Sequence, residues 1–148
     1  MKHISLLVMV AAVLFTACNS GSEGTETNAD STAVSPDSSV AVSVKTDSVS
    51  VKADTTSMNC YVAYDENKSG VRPIVVIVPE WWGVTDFTKN KAKQIAELGY
   101  FAIVADMYGR GTIADDPKTA GNRAGPFYKN KKLATGRIQA ALDKAKSY

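Results

Sequence analysis

The sequence predicts an α/β fold in which an antiparallel hairpin at a sheet edge precedes a parallel βαβ unit, with the sheet left incomplete. Three observations carry this expectation. Val49 to Tyr64 holds two segments of alternating apolar and polar residues around a polar turn. Ile74-Val-Val-Ile-Val78 and Tyr100-Phe-Ala-Ile-Val-Ala105 are unbroken apolar runs of the kind buried on both faces of a parallel sheet. Between them lies a helical pattern, so strand, helix and strand follow one another within about thirty residues, the span of a right-handed βαβ crossover.

The 148 residues suffice for one domain with a real core, and the formal charge of +2 singles out no partner. Two cysteines, Cys18 and Cys60, are too few for a disulfide framework or a metal cage. The sole histidine is His3, in a segment expected to be removed. Lys2 and His3 precede an apolar run from Ile4 to Phe15, too short to span a bilayer and suited to a signal-peptide core. Leu14-Phe-Thr-Ala-Cys18 resembles the lipobox of bacterial lipoproteins, cut before a cysteine that becomes lipid-modified. Residues 1–17 are therefore expected to be a signal peptide and Cys18 a lipid anchor, holding the protein on a membrane of the bacterial cell envelope without a transmembrane helix. The alternative is a buried N-terminal helix with a core cysteine. From residue 18 to 46, Ser, Thr, Asp and Glu replace large apolar residues, and such a stretch reads as a disordered tether.

The domain is expected over residues 47–148. Val49 and Val51 alternate with polar residues, Asp54-Thr-Thr-Ser57 reads as a turn, and Met58, Cys60, Val62 and Tyr64 share one face of the second hairpin strand. Cys60 on that face is a small buried hydrophobe rather than a reactive thiol. Asp65 to Gly70 is a polar turn leading to the run at Ile74, read as the central strand and ended by Pro79. Thr85 or Asp86 can cap the next helix, whose buried stripe is Ala92, Ile95, Ala96 and Leu98 and whose stop is Gly99. Lys89, Lys91 and Lys93, with no aromatic interleaved, form a solvated face, and no nucleic-acid partner is expected. The strand at Tyr100 to Ala105 is expected to expose one flank as an aggregation-prone edge. Asp106, just after it, is a loop-fixing acceptor. Asp115-Asp-Pro117 can start a helix that Gly121, Gly125 and Pro126 interrupt, and Asn130 to Ser147 gives a last one through Leu133, Ile138, Ala141, Leu142 and Ala145. The third parallel strand of an α/β order does not follow.

Ligands of open α/β sheets bind beyond the carboxyl ends of the strands, which is where Glu80-Trp-Trp-Gly83 falls. A carboxylate beside indole walls loses hydration and needs a partner. The competing reading is a loop acid in water with Trp81 and Trp82 as ordinary core. A nucleotide site is disfavoured, because the loop after Val78 has neither Gly-x-Gly-x-x-Gly nor a Walker pattern.

Pro73-Ile-Val-Val-Ile-Val-Pro-Glu-Trp-Trp-Gly83, a helix ending Ala96-Glu-Leu-Gly-Tyr100, and Ala105-Asp-Met-Tyr-Gly-Arg-Gly111 closely resemble the dienelactone hydrolase family, a branch of the α/β-hydrolases. The resemblance covers roughly Val49 to Tyr148 and implies the N-terminal part of an α/β-hydrolase fold. In the family a cysteine or serine on a strand-to-helix elbow attacks an ester or lactone carbonyl, and an aspartate and a histidine complete the triad. The resemblance gives Glu80 the role of the glutamate that hydrogen-bonds the resting thiol and helps to form the thiolate. It makes the Trp81 backbone N–H an oxyanion donor, and Arg123 or Arg110 the partner of a substrate carboxylate. It implies a small-molecule ester or lactone substrate, with no metal and no cofactor.

No Gly-x-Cys-x-Gly or Gly-x-Ser-x-Gly occurs in the chain, and once the leader is removed no histidine remains. The expectation is the N-terminal portion of a secreted, lipid-anchored esterase or lactonase, inactive as these 148 residues alone. The alternative is a non-catalytic envelope lipoprotein that uses a degenerate α/β-hydrolase fold as a binding module.

Overall fold

A computed structural model describes residues 41–148. The signal peptide expected at residues 1–17, Cys18 and the tether up to residue 40 lie outside the described residues. The elements are β1 (Val44–Ala53), β2 (Thr56–Asp65), β3 (Ile74–Ile77), α1 (Asp86–Glu97), β4 (Phe101–Val104), α2 (Pro117–Lys129) and α3 (Lys131–Ala145). The α/β class, the hairpin and the parallel βαβ unit are all present. β1 and β2 pair antiparallel from Val44 opposite Asp65 to Ala53 opposite Thr56, and β3 and β4 pair parallel from Ile74 beside Phe101 to Ile77 beside Val104. β1 starts three residues before Asp47. Asp65 explains the earlier start: its carboxylate accepts from the Ser43 N–H at 3.0 Å, and Val44, Lys45 and Thr46 join the ladder.

The strand order β1-β2-β4-β3 reverses two expectations. The hairpin docks antiparallel on β4 through Tyr61–Val104 and Ala63–Ala102, so β4 is the interior strand and all four of its residues are buried. The run at Ile74 forms the outermost described strand, each residue half-buried, and the expected exposed flank belongs to β3 rather than to Tyr100–Ala105. Two apolar runs look alike in sequence, and only the docking of the hairpin decides which one is enclosed. Phe101 N–H donates to Pro73 O and Ala105 N–H to Ile77 O. Alternation along the strand then turns the N–H and C=O of Ile74 and Val76 to the open side.

Helices cover both faces of the sheet. Ala92 and Ala96 of α1 pack on Ala63, Ala102 and Val104, while Ala141 and Ala145 of α3 pack on Met58, Cys60, Val62, Phe101 and Ile103. Alanine at these contacts lets helix and sheet approach closely, and full burial of side chains such as Ile103 or Val62 contributes about 1.5–3 kcal/mol each. Gly99, at φ +86°, ends α1 with its N–H on Ala96 O, as expected, but Leu98 is 73% exposed. Leu98 occupies the cap position, past the last residue that can share the Ala92–Ala96 stripe. Gly121, Gly125 and Pro126 do not interrupt α2. Proline removes one N–H there, while Asp116 anchors the first turn by accepting from Lys118 and Thr119 N–H.

Candidate active site

Two residues past the end of β3, Pro79 leads the chain into a tight loop, Glu80 to Gly83, at the carboxyl end of the sheet. Three successive carbonyls of this loop are held: Glu80 O by the Gly83 N–H at 3.0 Å, Trp81 O by the Tyr108 hydroxyl at 2.6 Å, and Trp82 O by the Ala114 N–H at 2.9 Å. Gly83 sits at φ +95°, and a Cβ there would lie 2.5 Å from Thr112 O, so only glycine lets the loop lie against the 109–114 segment. A trans peptide points its C=O and N–H in opposite directions. With Glu80 O directed inward to Gly83, the Trp81 N–H therefore points away from the turn, and among the described residues it donates to no protein acceptor.

Glu80 and Trp81 line a shallow cleft of about 160 Å³ with Met107, Tyr108, Phe127 and Tyr128. Glu80 is exposed, and no ion pair or side-chain hydrogen bond among the described residues involves it, so the expectation of a dehydrated, partnered carboxylate is not met: the acid stands in water. Trp81 is 42% exposed and meets Trp82 edge to face at 5.2 Å, so it is not an ordinary core residue. Arg123 is exposed on α2, one turn before Phe127, and its charge reaches the Tyr108 hydroxyl. Burial, the larger effect, still pushes the Tyr108 phenol above its usual value. Arg110 is elsewhere: at φ +56° it lies over the start of β2, its N–H on Ser57 O at 2.8 Å, and it does not line the cleft.

Asp106 is fully buried and fixes the loop that carries Tyr108. Its carboxylate accepts from Asn59, Gly109 and Gly111 N–H at 2.8, 2.9 and 2.7 Å. Cys60 is buried in the core, and desolvation raises its thiol above the ordinary range, which disfavours a thiolate. Sequence reasoning missed Tyr108 as a contact of the Trp81 loop. Its place four residues after β4, at the sheet end shared with Glu80, was the available signal. Arg137 was missed too: it is buried under the hairpin, donating to Thr56 Oγ1 at 2.6 Å and Ala53 O at 3.4 Å.

A larger cavity, about 550 Å³, opens at the opposite end of the sheet between Tyr64, Phe101 and Tyr148, with Arg72 and Lys146 at its rim. Among the described residues, no Asp, Glu, Ser, Thr or Cys side chain lines it. Among the described residues no cluster of three or more His, Cys, Asp or Glu could hold a metal ion.

Residues 58–148 match the family model of the dienelactone hydrolase family. The chain belongs to this family. Among solved structures, a protein named m3DLH is similar at TM-score 0.68 and 28% identity, over 71% of this chain and 44% of that one. A dienelactone hydrolase-like promiscuous phosphotriesterase from metagenomic libraries is similar at TM-score 0.64 and 33% identity, over 68% of this chain and 41% of that one. This dienelactone hydrolase family chain thus spans less than half the length of either relative. No curated protein matches it.

Proposed function

We propose that the cleft is the glutamate-and-amide half of an ester or lactone hydrolase site, completed by a cysteine or serine on a further parallel strand docked against β3. The supporting observation is where Glu80 stands. It follows β3, the strand whose outer edge is open among the described residues, with the main-chain groups of Ile74 and Val76 facing outward. A strand paired there would run about 4.8 Å away, with its carboxyl end and any strand-to-helix elbow beside Glu80 and Trp81.

In this reading the Glu80 carboxylate accepts a hydrogen bond from the resting nucleophile and assists its deprotonation. Attack on the substrate carbonyl develops an oxyanion that the Trp81 N–H stabilises, and one such donor is worth about 3 kcal/mol in the transition state. Collapse expels the alcohol or opens the lactone, and water then releases the acyl group, with an aspartate and a histidine from beyond residue 148 handling the protons. Arg123, next to Ala124 of the cleft lining, pairs with a substrate carboxylate, and Arg110 is the weaker candidate because its main chain is tied to Ser57 of the hairpin. The substrate is a small ester or lactone, and likeness to a promiscuous phosphotriesterase adds phosphotriesters to the panel to be tried. Cys18 tethers the protein by lipid to a membrane of the bacterial envelope, nucleic acid is not a partner, and the 148 residues alone do not turn over ester.

The coding sequence past Tyr148 should encode a strand, a Gly-x-Cys-x-Gly or Gly-x-Ser-x-Gly elbow, then an Asp and a His. In that full-length protein Glu80→Gln should lower ester turnover tenfold or more while leaving the unfolding midpoint nearly unchanged. A stop codon immediately after Tyr148, or an unaltered rate and pH profile in Glu80→Gln, overturns the proposal.

A further inference from the structure

We infer that Tyr108 is a positioning residue that holds the Trp81 loop in the conformation that aims its N–H outward. The inference rests on the functional reading above and concerns a different residue and a different atom. Of the three carbonyls held in the loop, those of Glu80 and Trp82 are held by main-chain N–H groups, and that of Trp81 by a side chain, the Tyr108 hydroxyl at 2.6 Å. The peptide planes before and after Trp81 pivot on its Cα. Gly83 fixes the first plane, which contains the Trp81 N–H; Tyr108 fixes the second, whose C=O would otherwise be free to swing towards the cleft. A carbonyl turned that way presents the negative end of its dipole where an oxyanion needs a donor.

Tyr108 is itself held from both sides. Its ring lies against Phe127 of α2 at 6.0 Å, and the Asp106 carboxylate grips Gly109 and Gly111 N–H immediately after it. Phenylalanine fills the same ring volume and lacks only the hydroxyl, so Tyr108→Phe removes the link without opening a cavity.

The test compares wild type, Tyr108→Phe and Glu80→Gln in the full-length protein with a p-nitrophenyl ester and a lactone. Amide 1H–15N spectra of the full-length protein are recorded alongside for wild type and Tyr108→Phe. Tyr108→Phe should lower kcat about tenfold or more, with KM within about twofold, the pattern of an interaction that matters in the transition state. Its Trp81 and Trp82 amide signals should shift and exchange faster with solvent, while those of β4 and α1 stay in place. Unchanged Trp81 and Trp82 amides overturn the inference whether or not any ester is hydrolysed. An active enzyme whose kcat is insensitive to Tyr108→Phe overturns it as well. An inactive full-length wild type sinks the functional reading instead, and the amide spectra still decide the part played by Tyr108.

Discussion

Substitution at Asp106 probes how the site is built, because one buried carboxylate ties β2 to the loop that carries Tyr108. The carboxylate accepts three main-chain N–H groups, one on Oδ1 and two on Oδ2. Asparagine keeps one acceptor oxygen. If that oxygen takes the Oδ2 place, the Asn59 and Gly111 bonds survive, while the new NH2 group faces the Gly109 N–H donor to donor. Losing one charge-assisted bond and leaving a buried donor unpaired costs about 2–3 kcal/mol. Alanine strands all three donors at about 1–3 kcal/mol each, or about 3–9 kcal/mol together, against a typical domain stability of about 5–15 kcal/mol. Urea unfolding of the 148-residue chain, followed by tryptophan fluorescence and circular dichroism, measures this. With a slope of about 1–2 kcal/mol per molar urea, Asp106→Asn should lower the midpoint by about 1 M or more, and Asp106→Ala by about 1.5 M or more. A change below about 0.5 kcal/mol in either variant, the size of a neutral surface substitution, would show that the three bonds do not hold the loop.

Other substitutions follow from the same geometry. Gly83→Ala should cost about 2 kcal/mol or more, from the left-handed φ plus the collision with Thr112 O, and should alter Trp81 and Trp82 fluorescence; an unchanged melting temperature refutes the close approach. Cys60 should resist a thiol reagent at pH 8 in the native chain and react once the chain is unfolded; rapid native labelling contradicts its burial. Its raised thiol pKa also stabilises the fold fully below the unfolded value of 9.0, and this contribution is lost as pH rises through the higher folded value. The midpoint should therefore fall between pH 8 and 10.5 by more in wild type than in Cys60→Ala, and equal falls count against it. Thr56→Val should cost about 1.5–3 kcal/mol by leaving the buried Arg137 guanidinium without its 2.6 Å partner. Arg137→Met removes the charge as well and should stay within about 1 kcal/mol of wild type; the reverse ranking in denaturant melts would refute this account.

Local signals made much of this molecule legible in its sequence. Alternation at Met58–Tyr64 gave the hairpin, the apolar runs gave β3 and β4, Gly99 marked the end of α1, and Asp106 read correctly as an acceptor because an acid just after a strand commonly ties down its own loop. Lateral order was not legible. Ile74–Val78 is the richer β-branched run, yet Phe101–Val104 is the enclosed one, since β2 docks on β4 and pairing between distant segments leaves no mark on either run alone. That Glu80 and Trp81 lie at the carboxyl end of the sheet was visible from their position after β3. The bond from Tyr108 to Trp81 O joins residues 27 apart in the chain and depends on two loops meeting at one end of the sheet. Arg137 was hidden for a related reason: on a helix wheel an arginine reads as solvent-facing, and only the polar atoms at the hairpin turn make its burial tolerable.

The two outer strands of the described sheet differ in chemistry as well as in place. β1 displays Lys45, Asp47 and Lys52 to solvent, charges that discourage any neighbour from zipping onto it, whereas β3 consists solely of Ile and Val. Of the two outer strands, β3 is the one that no charge guards. A strand that joined β3, from the same polypeptide or from another, would lie on the flank that leads into Glu80.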